Sequence, residues 1–300
     1  PGIVDMLLNG LPGVAAGLLL GWSPLAAVLL GGATWVSSSG VVSKVLSDLH
    51  RLGFRETPAI LNLLVIEDLA MAVYLPVVAA LIVGGTVVAT LTSVAIALVV
   101  VTVILLSALF YGRKLSDLLI GGSDESLLLA VFGVTLLVAG IAQQLEVSGA
   151  IGAFLVGLAL SGQAEKRAIQ LITPLRDLFA AIFFLFFSFQ VDPAKLLDAL
   201  LPAFGLAVVT AFTKMLTGWF AAKRVGAAQK GRLRAGATLI ARGEFSIVIA
   251  ALGAGLIDGP ELGALVAGYV LVTAIMGPLA AKYANNIKLP TRKKKQPVPA

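Results

Sequence analysis

The sequence predicts an all-α polytopic membrane protein of about ten transmembrane helices. Three observations predict it. Mean hydropathy over the 300 residues is +1.01. Only 13% of residues are charged, whereas a soluble domain carries about 25%. Apolar runs of spanning length recur along the whole chain, separated by Gly, Pro and charge. The chain has no cysteine and a single histidine, His50, which excludes a disulfide framework and Cys- or His-rich metal chemistry. The net charge of +6 is placed in loops rather than on a nucleic-acid-binding face, so no nucleic-acid partner is expected.

Hydrophobic length and punctuation place the spans at 3–21, 24–46, 57–83, 86–110, 126–145, 148–162, 175–190, 200–223, 233–255 and 262–283. The third starts at Thr57, which can cap, followed by Pro58 at a first helical position where a missing N–H costs nothing. The sixth and seventh are short and are expected to sit steeply or be shielded by neighbours. The chain opens at Pro1 without a Met, as a fragment of a longer membrane domain would. It closes with Arg292-Lys293-Lys294-Lys295 in a Pro-containing basic tail, 288–300.

Alternate loops differ in charge. One set carries Arg51 and Arg55, Arg113 and Lys114, Lys166, Arg167 and Arg176, then Lys223, Arg224, Lys230, Arg232 and Arg234, and last the tail. The other set carries Lys195 with Glu146, Asp192, Asp198, Asp258 and Glu261. The positive-inside rule puts the first set, and the C-terminus, in the cytoplasm.

Glu67 and Asp68 lie side by side in the apolar run 57–83. A charge at the bilayer centre costs about 2.5–3.5 kcal/mol on insertion scales, and two adjacent carboxylates resist joint ionisation. A buried cation, a bound ion or a proton can offset that cost. On a helix the two point about 100° apart, so one can face a partner while the other faces a cavity. Lys214, about ten residues or ~15 Å inside its span, is the natural counter-ion for Glu67 or for Asp68.

Two spans carry interruptions. The second holds Thr34 and the run Ser37-Ser38-Ser39 between glycines, and the ninth holds Arg242-Gly243-Glu244-Phe245-Ser246. Such breaks are tolerated at membrane depth where backbone lines a cavity or is buried in protein. Each is the middle span of three, in 3–83 and in 200–283, and paired interruptions of this kind point to a transporter site between two repeats. Their broken ends expose half-helix dipoles that Glu244 and a cation can compensate. For the serine run, ordinary small-residue helix packing is the alternative. No nucleophile–base set or metal-ligand cluster is visible, so neither an enzyme nor a resident cofactor is expected.

The serine run, Glu67-Asp68 some thirty residues later, Gly152-Ala153-Phe154-Leu155-Val156-Gly157-Leu158, Lys214 and Gly243-Glu244-Phe245 together resemble the monovalent cation–proton antiporter superfamily, and within it the Kef-type and NapA-type sodium or potassium/proton exchangers. The resemblance spans nearly the whole chain. It implies an inverted repeat with two crossing discontinuous helices, an elevator-like alternating-access motion, and about three further N-terminal spans. It implies a core domain of two halves, 1–83 and 200–287, with 84–199 as linker and dimerisation-side helices of a homodimer. Asp68 matches the acid that binds Na+ or K+ or the proton. Glu67 falls where Kef-type members carry Gln, electroneutral exchangers Asn and electrogenic ones Asp. Lys214 matches the basic residue paired with the site in electrogenic members. Ser37, Ser38 and Ser39 match the first helix break and Glu244 the second. The implied function is exchange of a monovalent cation for H+ across the bilayer. A cation channel using the same acids is the alternative, and it predicts flux without an obligatory proton gradient.

Overall fold

The computed structural model describes residues 2–83, 122–144, 162–190 and 193–287 continuously, with scattered positions between 88 and 110 and between 152 and 160. The expected spans 86–110 and 148–162, the tail 288–300, and Arg113, Lys114, Glu146 and Asp192 fall wholly or mostly outside the described residues. Among those described every regular element is helical. We number them α1 (Gly2–Leu19), α2 (Pro24–Trp35), α3 (Ser39–Asp48), α4 (Thr57–Val83), α5 (Asp124–Gln144), α6 (Gly162–Gln190), α7 (Pro193–Arg224), α8 (Gln229–Thr238), α9 (Glu244–Leu252) and α10 (Gly259–Tyr283).

Six segments among the described residues are long and apolar enough to cross a membrane: 2–19, 24–48, 57–83, 124–144, 194–224 and 259–286. These are the first, second, third, fifth, eighth and tenth spans of the sequence reading. The ninth expected span is two short helices, α8 and α9, separated by five residues. The seventh, read as a short span at 175–190, is the C-terminal part of a 29-residue helix, α6. Lys166, Arg167 and Arg176, read as loop residues, lie on that helix. Arg167 there pairs with Asp124 of α5. Thr57 does not cap α4: its hydroxyl donates to Arg51 O at 2.6 Å, and Glu56 O accepts from the first turn.

Two trios of elements run through the bundle in opposite directions. In the first trio α1, the broken pair α2–α3, and α4 follow one another; in the second α7, the broken pair α8–α9, and α10 do. Contacts fix the two ends. At one end Ser23 donates its N–H (3.0 Å) and hydroxyl (2.7 Å) to Asp258, and Lys195 pairs with Glu261 at 2.8 Å. The Ser23 bonds hold the Asp258 carboxyl below the usual carboxylate range. At the other end Arg51 donates to Ala281 O (2.8 Å), Arg55 to Val225 O (3.1 Å), and Arg234 to Glu56 (2.6 Å) and Asn285 (3.0 Å). Charged residues thus gather at two opposite ends, one rich in arginine and one rich in acid.

Apolar clusters occupy both halves of the bundle. Leu29, Leu30, Met71, Leu75, Ile249, Leu265 and Tyr269 pack toward the acidic end. Val42, Leu46, Ile60, Leu63, Leu64, Ala222 and Leu239 pack toward the arginine-rich end. Between them lies a layer of buried polar groups: Asp5, Thr34, Ser37, Ser38, Glu67, Lys214, Arg242 and Ser246. Outward positions are apolar as well. Leu197, Leu201, Phe204, Val208 and Phe212 form an exposed stripe along α7 at helical spacing, as a lipid-facing surface requires.

Helices α1 and α2 pack backbone to backbone. A Cβ placed on Gly13 would lie 2.6 Å from Leu30 O and 2.9 Å from Gly31 Cα. Both are backbone atoms, so a side chain there forces the helices apart. Gly13→Val is expected to lower stability by about 1–3 kcal/mol, the usual cost of overpacking. A thermal melt of the detergent-solubilised protein reads it, and an unchanged melting temperature would contradict this packing.

Candidate functional site

The polar layer is built around the two helix breaks. Three residues, Val36, Ser37 and Ser38, separate α2 from α3, and Leu239 to Gly243 separate α8 from α9. Backbone released from a helix at this depth needs partners, and each break supplies them to the other. Ser38 N–H donates to Ala241 O at 2.9 Å, and the Ser37 hydroxyl to Leu239 O at 3.2 Å. Ser246 Oγ donates to Ala33 O at 2.7 Å. Gly243 permits the approach, since a Cβ on it would meet Ser38 Oγ at 2.5 Å.

Charges then match the four exposed helix ends. Arg242, fully buried, donates through Nε to Thr34 O (3.0 Å) and through Nη1 to Leu239 O (3.0 Å) and Ile240 O (2.8 Å). These carbonyls belong to the C-terminal ends of α2 and α8, where the helix dipole is negative. Glu244 opens α9 and accepts from Ser38 Oγ at 2.8 Å. Glu67 accepts from the Ser37 N–H, just ahead of α3. Carboxylates thus face the positive N-terminal ends, and one guanidinium serves both negative ends. Arg242→Met would strip three carbonyls of a charged donor. Hydrogen bonds to charged groups are worth about 1.5–3 kcal/mol, so a drop of at least that size is expected in a thermal melt. A stability equal to the parent's would show that the breaks hold without it.

Lys214, on α7, is fully buried and bonds two carboxylates. Its Nζ lies 2.6 Å from Glu67 Oε1 and 2.9 and 3.0 Å from the two oxygens of Asp5. The sequence left its partner open between Glu67 and Asp68; the structure gives it Glu67 and Asp5. Asp5 is the residue that sequence reasoning missed. It was passed over inside the first apolar span, although Asn9 stands one helical turn on and marks a polar face. Trp35 Nε1 also donates to Asp5, at 3.0 Å. A cavity of about 400 Å³ near the arginine-rich end is lined by Val4, Leu63, Thr217, Lys223 and Arg224.

Asp68 is placed differently from its neighbour. It is half-buried and accepts from the Ser39 hydroxyl, at 3.1 and 3.3 Å to its two oxygens. Among the described residues neither Asp68 nor Glu244 has a cationic partner. The consecutive hydroxyls of Ser38 and Ser39 therefore hold two carboxylates that lack counter-ions, Glu244 and Asp68. Thr34, Arg242 and Ser246, expected along the cavity, each bond to backbone carbonyls, Thr34 to Asn9 O at 2.9 Å. No group of three or more His, Cys, Asp or Glu among the described residues could hold a resident metal ion.

Spanning helices, two broken helices and a buried charged layer between them define an integral membrane protein of the ion-transporter class. The chain belongs to the transmembrane sodium/hydrogen exchanger family, whose model matches residues 2–282. It is 36% identical over 289 residues to the K(+)/H(+) antiporter subunit KhtU of Bacillus subtilis, covering 95% of this chain and 71% of that one. It is 31% identical over 295 residues to the ammonium/H(+) antiporter subunit AmhT of Alkalihalophilus pseudofirmus, covering 95% and 73%. To the high-affinity Na(+)/H(+) antiporter NhaS3 of Synechocystis it is 27% identical over 277 residues, covering 87% and 58%.

Proposed function

We propose that the protein is a secondary antiporter that exchanges a monovalent cation, Na+ or K+, for H+ by alternating access around Asp68. The observation that carries this reading is the contrast between two adjacent acids. Glu67 is paired with Lys214, whereas its neighbour Asp68 accepts from the Ser39 hydroxyl and has no cationic partner among the described residues. A carboxylate without a counter-ion in a low-dielectric layer takes either a cation or a proton. Competition between the two for one site is the chemical basis of exchange. The serine hydroxyls and freed backbone carbonyls supply the remaining oxygen ligands that a dehydrated cation needs. The names of the relatives support the same class of exchange.

The same reading covers the finer architecture. The two oppositely directed trios form an inverted repeat, with 1–83 and 200–287 as the halves of one core and 84–199 as the dimerisation side of a homodimer, in a bilayer-spanning set of ten helices. The arginine-rich end is cytoplasmic, by the positive-inside rule. The Glu67–Lys214 pair opens as cation binds, and Lys214 carries a transported proton, which makes the exchange electrogenic.

Reconstitution tests this. Proteoliposomes loaded with a pH-sensitive dye are given Na+ or K+ outside at an imposed membrane potential. The expected result is proton movement driven by one of the cations and dependent on voltage. Cation flux without proton movement would replace antiport by a channel.

A further inference from the structure

We infer that Asp5 is the fixed partner of Lys214, a positioning residue that keeps the lysine side chain in place when Glu67 releases it. The inference rests on the exchange reading given above. It begins with a count: one buried ammonium meets two buried carboxylates. One carboxylate can therefore part from the ammonium without leaving that buried cation unpaired, which would be strongly destabilising.

Geometry says which of the two stays. Both Asp5 oxygens are saturated. Oδ1 accepts from Lys214 and from Asn9 Nδ2, each at 2.9 Å, and Oδ2 from Lys214 and from Trp35 Nε1, each at 3.0 Å. Its helix, α1, is seated on α2 through close backbone contact at Gly13 and Gly17. Asn9 is itself fixed, accepting from Thr213 Oγ1 at 2.7 Å. Glu67 is held otherwise. Beyond Lys214 its partners are the N–H and the hydroxyl (3.3 Å) of Ser37, a residue of the break itself. Any rearrangement of the break on cation binding at neighbouring Asp68 therefore disturbs Glu67 directly, through Ser37, and Asp5 at second hand, through Trp35, through Thr34 and Asn9, or through Lys214. The groups facing Asp5 are Glu67 from α4, Lys214, Thr217 and Thr213 (the last through Asn9) from α7, and Trp35 from α2; Lys214 is the one cation among them.

Asp5→Asn, Asp5→Glu, Glu67→Gln and the double Asp5→Asn/Glu67→Gln variant of the full chain test it. Asp5→Asn leaves Lys214 to Glu67 alone, so the pH profile and voltage dependence of exchange should shift, and Asp5→Glu should restore both. Glu67→Gln should melt close to the parent, because Asp5 still holds the ammonium. The double variant should lose about tenfold more exchange than the product of the single losses, as coupled residues do. An Asp5→Asn protein with the parent's pH profile and voltage dependence, or a multiplicative double variant, overturns the inference. So does a Glu67→Gln protein that melts as early as the double. If the parent exchanges, Asp68→Asn does not, and Asp5→Asn is silent, this inference fails alone. If the parent shows no exchange, the reading beneath it fails too.

Discussion

Asp68→Asn is expected to abolish cation-driven proton movement while leaving the protein folded. The substitution is nearly isosteric, and an amide oxygen can still accept the Ser39 hydroxyl bond. No ion pair is broken, because Asp68 has none among the described residues. What is lost is the full charge. At about 3 Å and an effective dielectric near 20, a cation gains roughly 5 kcal/mol from a carboxylate, and that is more than three orders of magnitude in affinity. The neutral amide also cannot take up and release a proton, so the proton site proposed for Asp68 is lost as well. Dye-loaded proteoliposomes read the exchange, and a melt in detergent reads the fold. Exchange at the parent's rate would remove Asp68 from the mechanism.

Lys214→Met is expected to have the largest effect on stability. Methionine fills much of the volume, but Asp5 and Glu67 are left buried, side by side and without a counter-ion. Removing one partner of a buried ion pair costs about 3–5 kcal/mol. The cost arises from the stranded carboxylates rather than from lost packing. It follows that Asp5→Asn and Glu67→Gln, added to Lys214→Met, should recover most of the lost melting temperature. A triple variant no more stable than Lys214→Met would assign the loss to packing instead.

The parts of this architecture that could be read from residues alone are those where polarity is out of place. Ser37 to Ser39 and Gly243-Glu244 stand inside apolar runs, and the helices break there. Glu67 and Lys214 are charges at spanning depth, and they meet. Asp5 escaped because its setting looks ordinary from its neighbours alone: an acid in the first turn of a helix is favoured by the helix dipole. Only a partner 209 positions away makes it part of the layer. The choice between Glu67 and Asp68 as partner of Lys214 was equally closed to local reasoning, since it depends on the rotation of α4 against α7. The length of α6 was hidden by Lys166, Arg167 and Arg176. Those charges read as a loop, yet they sit comfortably on a helix whose Arg167 finds Asp124.

The arginine-rich end has a consequence for motion. Residues 49–56 reach from the first trio to the second through Arg51 to Ala281 O, Arg55 to Val225 O, and Glu56 to Arg234. This is a clasp between the two trios, and it closes the side from which they could be pried apart. Helices α5 and α6 share a small apolar cluster, Leu127, Val131 and Ala168. Residues 49–56 thereby tie the two broken helices, α2–α3 and α8–α9, into one body at this end.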